Sequence, residues 1–194
     1  GLQGDFALLD PGGLQPAKEG LRAAAPFVPE QDPDLIWVER AASPLWARLR
    51  PSGRRGPNVV YELKARGTVG QNISSGARLV GDDLGSVAAL VDLTAGQAFA
   101  FDPRANIWLS TRVMPSVAGT RNAAIAVAGK YLYVAGGDVG QGPRGDVFAV
   151  DLFGTEGVRT LTSALAGRVG GRLQSTLGGR SLVVAGGFDA TGSR

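Results

Sequence analysis

Cysteine and histidine are both absent from this chain. Without thiolates or imidazoles it has no Cys/His zinc site, no histidine-ligated haem and no catalytic triad built on histidine. Lack of cysteine forbids disulfides but does not fix the compartment, because an oxidising environment does not require them. Lysine is scarce: Lys18, Lys64 and Lys130 stand beside 17 arginines and 17 acidic residues, for a net charge of +3. So even a mixture of signs argues against a nucleic-acid partner, which needs basic residues interleaved with aromatics on one surface. The nearest approach to such a cluster is Arg48, Arg50, Arg54 and Arg55 after Trp46. No apolar run reaches the ~20 residues of a membrane helix, and residues 1–30 lack the basic-then-apolar order of a signal peptide. The chain opens Gly1-Leu2-Gln3 without methionine, so it is expected to be a processed product or part of a longer protein. An extracellular or cell-envelope location is compatible with these features and is the working expectation.

What is plentiful is turn-forming sequence. Glycine (30) and proline (11) make up about a fifth of the 194 residues and are spread along the chain, well above average usage. Hydrophobic residues at 44% and charged residues at 19% are ordinary for a globular protein and exclude a collagen, a coiled coil or a disordered acidic tail. Short β-branched, aromatic and small apolar runs alternate with Gly, Asp, Pro and Asn, which predicts an all-β protein. The clearest runs are 58–63, 86–91, 97–101, 122–127, 131–135, 147–150 and 181–185. The one helix-like stretch, 16–25, contains Gly20 and is closed by Pro26, both unfavourable to a helix.

Self-similarity organises these runs. Leu132-Tyr-Val-Ala-Gly136-Gly137 recurs fifty residues on as Leu182-Val-Val-Ala-Gly186-Gly187, and Phe99-Ala-Phe-Asp102 recurs at a nearly equal spacing as Phe148-Ala-Val-Asp151. Two markers with one period indicate a repeat array. A weaker echo, Phe6-Ala-Leu-Leu-Asp10-Pro11, resembles the end of a third strand, and Trp37 and Trp46 fall in a degenerate copy. Paired glycines permit positive φ and close backbone approach, the aromatics Phe99, Phe101, Phe148, Tyr133 and Trp108 are expected in the core, and Asp102 and Asp151 are expected to cap turns.

Arg121, an apolar strand, Tyr131 to Gly137, a polar loop and Val147 to Asp151, preceded by Phe101-Asp102-Pro103, Trp108, Met114-Pro115, are together similar to the Kelch repeat. The resemblance is good over 97–187 and poor before about 76. It implies a β-propeller of four-stranded antiparallel blades, with Gly136, Gly137, Gly186, Gly187, Trp108 and Tyr133 as its structural residues. Residues 1–75 are then degenerate blades or an extension, followed by blades near 76–115 and 116–166 and an incomplete one at 167–194. About four blades fit the length; a closed four-blade ring and a piece of a six- or seven-bladed ring are both compatible, and the piece is favoured. The sequence departs from the pattern at Val158 to Leu161, where a tryptophan is expected, and at Asp92 to Gly96, which replaces the double glycine.

No constellation of catalytic residues stands out. The three lysines are dispersed and no Gly-x-Ser-x-Gly elbow occurs, which disfavours a serine nucleophile. Asp82 and Asp83 read as a solvated hairpin turn rather than a glycosidase pair. Gly136 to Gly142 is followed by Pro143 and a strand, so it lacks the helix that a phosphate loop needs. Copper-oxidase members of the Kelch-like group hold metal on His, Tyr and a Cys-modified Tyr, which this chain cannot supply. No cofactor or metal is expected. Asn72-Ile73-Ser74 matches a glycosylation acceptor, a weak three-residue pattern. The propeller resemblance places the loops 114–121, 138–146 and 188–194 on one face, which makes Arg112, Arg121, Asp138, Gln141, Arg144, Asp146 and Asp189 the candidate binding residues. The leading expectation is a non-enzymatic scaffold that binds a protein or assembles through loops and blade edges. The alternatives are part of a sugar-active propeller enzyme, as in the oxidases and sialic-acid-isomerising proteins of that group, with carbohydrate as ligand, and an envelope or extracellular structural subunit.

Overall fold

The computed structural model describes residues 7–10, 13–16, 20–24, 34–39, 44–56, 58–81, 87–109, 111–154, 156–162, 166–175 and 181–192. They form an all-β structure, its only helical piece among the described residues a 3-10 turn at Pro115–Val117. The first sheet holds β1 (Ala7–Asp10), β2 (Gly13–Pro16), β3 (Gly20–Ala24), β4 (Leu35–Glu39), β5 (Leu45–Arg55) and β6 (Asn58–Thr68), in the order β2-β1-β6-β5-β4-β3. The second runs β10 (Ile107–Trp108), β9 (Gln97–Asp102), β8 (Ala88–Asp92), β7 (Arg78–Gly81), with β11 (Arg112–Val113) further along β9. The third runs β12 (Ala124–Ala128), β13 (Tyr131–Ala135), β14 (Val147–Asp151), β15 (Val158–Thr162), and the fourth pairs β16 (Arg172–Ser175) with β17 (Leu182–Ala185). Among the described residues all strand pairings are antiparallel except a single parallel contact of β1 with β6. The helix-like stretch is instead strand β3, paired with β4 from Gly20↔Glu39 to Ala24↔Leu35. Tertiary pairing overrides the modest helix propensity of Leu21, Arg22 and the alanines.

The sheets pack face to face in succession, a propeller-like arrangement, and the period-2 alternation of each strand distributes its side chains to two neighbours. On β8 and β9, Leu90, Phe99 and Phe101 face the first sheet, where they join Ile36, Val38 and Trp46. The alternate residues Ala89, Val91, Ala98 and Ala100 face the third sheet, against Leu132, Val134, Phe148 and Val150. Ala124, Ala126, Ala135 and Val147 face the fourth sheet, with Leu173. Burial on both faces is why β8 and β14 read as unbroken apolar runs. The outermost strand β15 alternates with polar residues and is largely exposed. Large and small residues complement each other: the alanines of β9 leave room for Phe148 of the next sheet. Phe101, fully buried, lies edge-on to Trp46 (4.9 Å between centroids) and tilted against Trp108 (5.2 Å). Tyr133 is half-buried and packs on the third–fourth sheet core.

Aspartates punctuate the strands. Asp92 and Asp102 each begin a four-residue hairpin loop, whose last residue, Gly96 or Asn106, has positive φ (65° and 53°). The Asp102 carboxylate accepts the Arg104 and Ala105 N–H groups (2.8 and 3.3 Å), and that of Asp151 accepts Phe153 and Gly154 (3.1 and 2.7 Å). Asp92 accepts Ala95 N–H (3.1 Å) together with the backbone N–H and hydroxyl of Ser74 (2.6 and 2.7 Å). Ser74 of the glycosylation-like triplet is thus engaged in holding the loop before β7. The adjacent acids Asp82 and Asp83 lie outside the described residues.

Burial alone would push the carboxyls of Asp92 and Asp151 up, but the hydrogen bonds they accept outweigh it and hold both below the ordinary carboxylate value. Lys130, which bonds Asp151 at 3.1 Å, is pushed up to about 12, chiefly by that bond.

Two predictions follow from this packing and these turns. Phe101→Ala should lower stability in urea unfolding by about 3–5 kcal/mol, the range for deleting a buried phenylalanine side chain, whereas Leu161→Ala on the exposed edge should cost less than about 1 kcal/mol. Because Asp92 and Asp151 have lowered folded-state pKa values, their contribution is complete above the unfolded value and is lost as pH falls through the folded values. The urea midpoint should therefore hold down to about pH 5 and drop below about pH 4, and Asp151→Asn should lower the neutral-pH midpoint while flattening the acid drop.

Candidate functional site

The loop 136–146 begins where β13 ends in Gly136 and Gly137, with φ of 64° and 87°. A side chain at Gly136 would put its Cβ 2.5 Å from the Arg168 carbonyl oxygen, and at Gly137 2.5 Å from Thr120 Cγ2 and 2.8 Å from the Arg121 carbonyl oxygen. This room lets backbone bond to backbone across sheets. Gly137 N–H donates to Arg168 O (2.7 Å) and Arg168 N–H to Arg144 O (3.0 Å), and within the third sheet Arg121 and Asp138 exchange two bonds (2.8 and 2.9 Å) that continue the β12–β13 pairing. The second glycine pair repeats the geometry: Gly186 and Gly187 have φ of 67° and 87°, and Phe188 and Val169 exchange two bonds of 2.9 Å. Positive φ is found at both pairs, with close backbone approach at Gly136, Gly137 and Gly187, whereas a Cβ at Gly186 would meet nothing within 4 Å.

The candidate binding residues separate into those this loop end brings together and those it does not. Asp138 accepts Gly140 and Gly142 N–H groups (2.6 and 3.0 Å) and so shapes the loop. Arg144 pairs with Asp146 (2.9 Å), donates to Ser116 O (3.1 Å) and stacks its guanidinium 4.9 Å from the Phe148 ring centroid. Arg121 meets Asp138 through its main chain, in a bridge that extends the β12–β13 pairing, and its side chain is exposed. Gln141 is exposed at the loop tip beside Val139. Asp189 turns its carboxylate onto Thr191, whose N–H it accepts at 2.8 Å, in the corresponding loop of the fourth sheet. Arg112 stands apart: its Nε donates to Leu152 O (3.1 Å), beyond the end of β14 opposite the Gly136 loop. Residues 193 and 194 of the last candidate loop lie outside the described residues.

The basic cluster after Trp46 has a structural role in part. Arg48 and Arg50 share Asp34 (2.7 and 3.0 Å), and Arg48 also reaches Pro103 O (2.5 Å) and Asn106 Oδ1 (2.9 Å), tying the first sheet to the β9–β10 turn. Burial raises the Asp34 carboxyl, but the bonds from Arg50 and Arg48 exceed that effect and leave it lowered.

Sequence reasoning passed over Arg78 and Arg172. They open β7 and β16, at the strand position that Ala124 occupies in β12. All three line a cavity of about 630 Å³ walled by these first strands, with Asn122 and Gln174 also at its surface. The available signal was the Arg-Leu pair that begins both strands, Arg78-Leu79 and Arg172-Leu173. Among the described residues no group of three or more acidic, His or Cys side chains is placed to hold a metal ion. No helix there is long and apolar enough to cross a membrane.

No family model matches the chain, and no curated protein matches it. Among solved structures, one described as "Structure of YjhT" is similar, with a TM-score of 0.45 and 17% identity over 91% of this chain; the chain spans 60% of the length of that one.

The glycine geometry makes a directional prediction. Gly136→Ala should lose the about 1–2 kcal/mol of left-handed strain plus the cost of displacing the Arg168 carbonyl. Gly140→Ala, where φ is 92° and nothing lies within 4 Å, should lose the strain alone. Thermal or urea unfolding of the two variants measures the difference.

Proposed function

We propose that these sheets are blades of a Kelch-like β-propeller and that the chain is a non-enzymatic binding scaffold which recognises a protein through its loop face. The observation that carries the reading is the loop 136–146: it is bonded by backbone to the segments before and after it, yet leaves Val139 and Gln141 exposed at its tip. A loop fixed in this way loses little conformational entropy on binding. Function displayed on loops held by a rigid scaffold is a common solution in β-proteins. The exposed Arg121 guanidinium at the same end offers a planar donor for a carboxylate or a backbone carbonyl of the partner. The carboxylates nearby are occupied in shaping turns, as Asp138 and Asp189 do, or in pairing, as Asp146 does.

A photo-crosslinking amino acid placed at position 139 or 141, in the protein expressed in its natural host, should give a discrete heavier species. Arg121→Glu should diminish that species, and the same probe at Gly157, beyond the other end of the sheet, should not give it. Absence of any adduct at both loop positions would overturn the reading.

A further inference from the structure

The cavity between the first strands of three successive sheets has a lining of one sign. Among the described residues its polar side chains are two guanidiniums, Arg78 and Arg172, and two amides, Asn122 and Gln174, and none is a carboxylate. Arg78 is half-buried, and among the described residues it makes a single side-chain hydrogen bond, from Nη2 to Ala123 O at 2.7 Å. A guanidinium has five N–H donors, so most of the donor capacity of Arg78 is without a protein acceptor among the described residues. Neither it nor Arg172 forms an ion pair with a described acid. Partial burial of the Arg78 guanidinium makes a counter-charge in the cavity favourable.

Small residues make the space. Ala124 occupies the strand position that Arg78 and Arg172 hold on either side, and Gly170 and Gly171 complete the wall beside it. At about 630 Å³ the cavity lies within the range of small-molecule sites, roughly 300–1,000 Å³.

We propose that this cavity is a binding site for a small ligand carrying an oxyanion, a carboxylate or a phosphate, with Arg78 and Arg172 supplying the charge and Asn122 and Gln174 hydrogen-bonding its polar remainder. Arginine suits this task because its planar fork matches both oxyanions and stays charged when partly desolvated. The site is formed by the first strands and the residues just before them, and does not depend on the loop-face reading, so either can fail alone.

Titration of the protein with inorganic phosphate and, separately, with citrate tests it, at ionic strength held constant with sodium chloride and followed by amide and arginine Nε–H chemical shifts in NMR. The expected result is saturable shifts at Ala124, Gly170 and Gly171 with at least one probe, weakened about tenfold or more in Arg172→Gln. Because Arg172 is exposed, that variant should keep the circular dichroism and unfolding midpoint of the parent; Arg78→Gln, which also loses the bond to Ala123, serves as the second variant. Saturation by phosphate alone assigns a phosphate ligand, and by citrate alone a carboxylate ligand. Shifts that saturate with neither probe, or that are equal in the parent and both variants, would overturn the proposal.

Discussion

Close approach of backbone to backbone at the Gly136–Gly137 corner is the constraint on which the arrangement of sheets depends. Side-chain packing alone would let adjacent sheets slide, because apolar contact is not directional. Hydrogen bonds from Gly137 N–H to Arg168 O and from Arg168 N–H to Arg144 O fix that freedom, while the Arg121–Asp138 bridge continues the β12–β13 ladder up to the corner. They exist only because no Cβ stands at either glycine. The same pair of φ angles recurs at Gly186–Gly187, where the Val169–Phe188 bridge likewise extends the β16–β17 ladder within the fourth sheet.

Charge in this protein is largely spent on geometry. Asp92, Asp102, Asp138 and Asp151 each accept backbone N–H groups where a strand ends. Arg48 joins sheets through Asp34, Pro103 and Asn106, and Arg112 does so through Leu152. Such bonds desolvate a charge and repay it with several oriented partners, which explains why the Asp92 and Asp151 carboxyls stay ionised although burial opposes it. Against this background Arg78 and Arg172 stand out, since they line a cavity and pair with no acid among the described residues.

Much of the strand pattern was legible because it is local. The runs at 131–135 and 147–150 correspond closely to β13 and β14, and the glycine pairs and capping aspartates announce turns whatever lies around them. Of the expected core aromatics, Phe99, Phe101 and Phe148 are buried, whereas Trp108 and Tyr133 are only part-buried. The site was legible only in part. Asp138, Arg144 and Asp146 lie within nine residues of one another, so a single loop brings them together; Arg112 and Leu152 belong to different sheets, and nothing local signals their bond. Arg78 and Arg172 are far apart in the chain, and each alone resembles an ordinary strand-end arginine.

By itself the sequence determined the all-β character, the turn positions and the repeat spacing, because period-2 burial, positive φ and carboxylate caps act over a few residues. Tertiary structure alone decided which arginine is a strut and which lines a cavity. It also decided that the segment 20–24 is a strand, and that Arg121 serves the loops through its main chain. Each of these depends on which backbone or carboxylate arrives from a distant part of the chain, and that is settled only when the sheets pack.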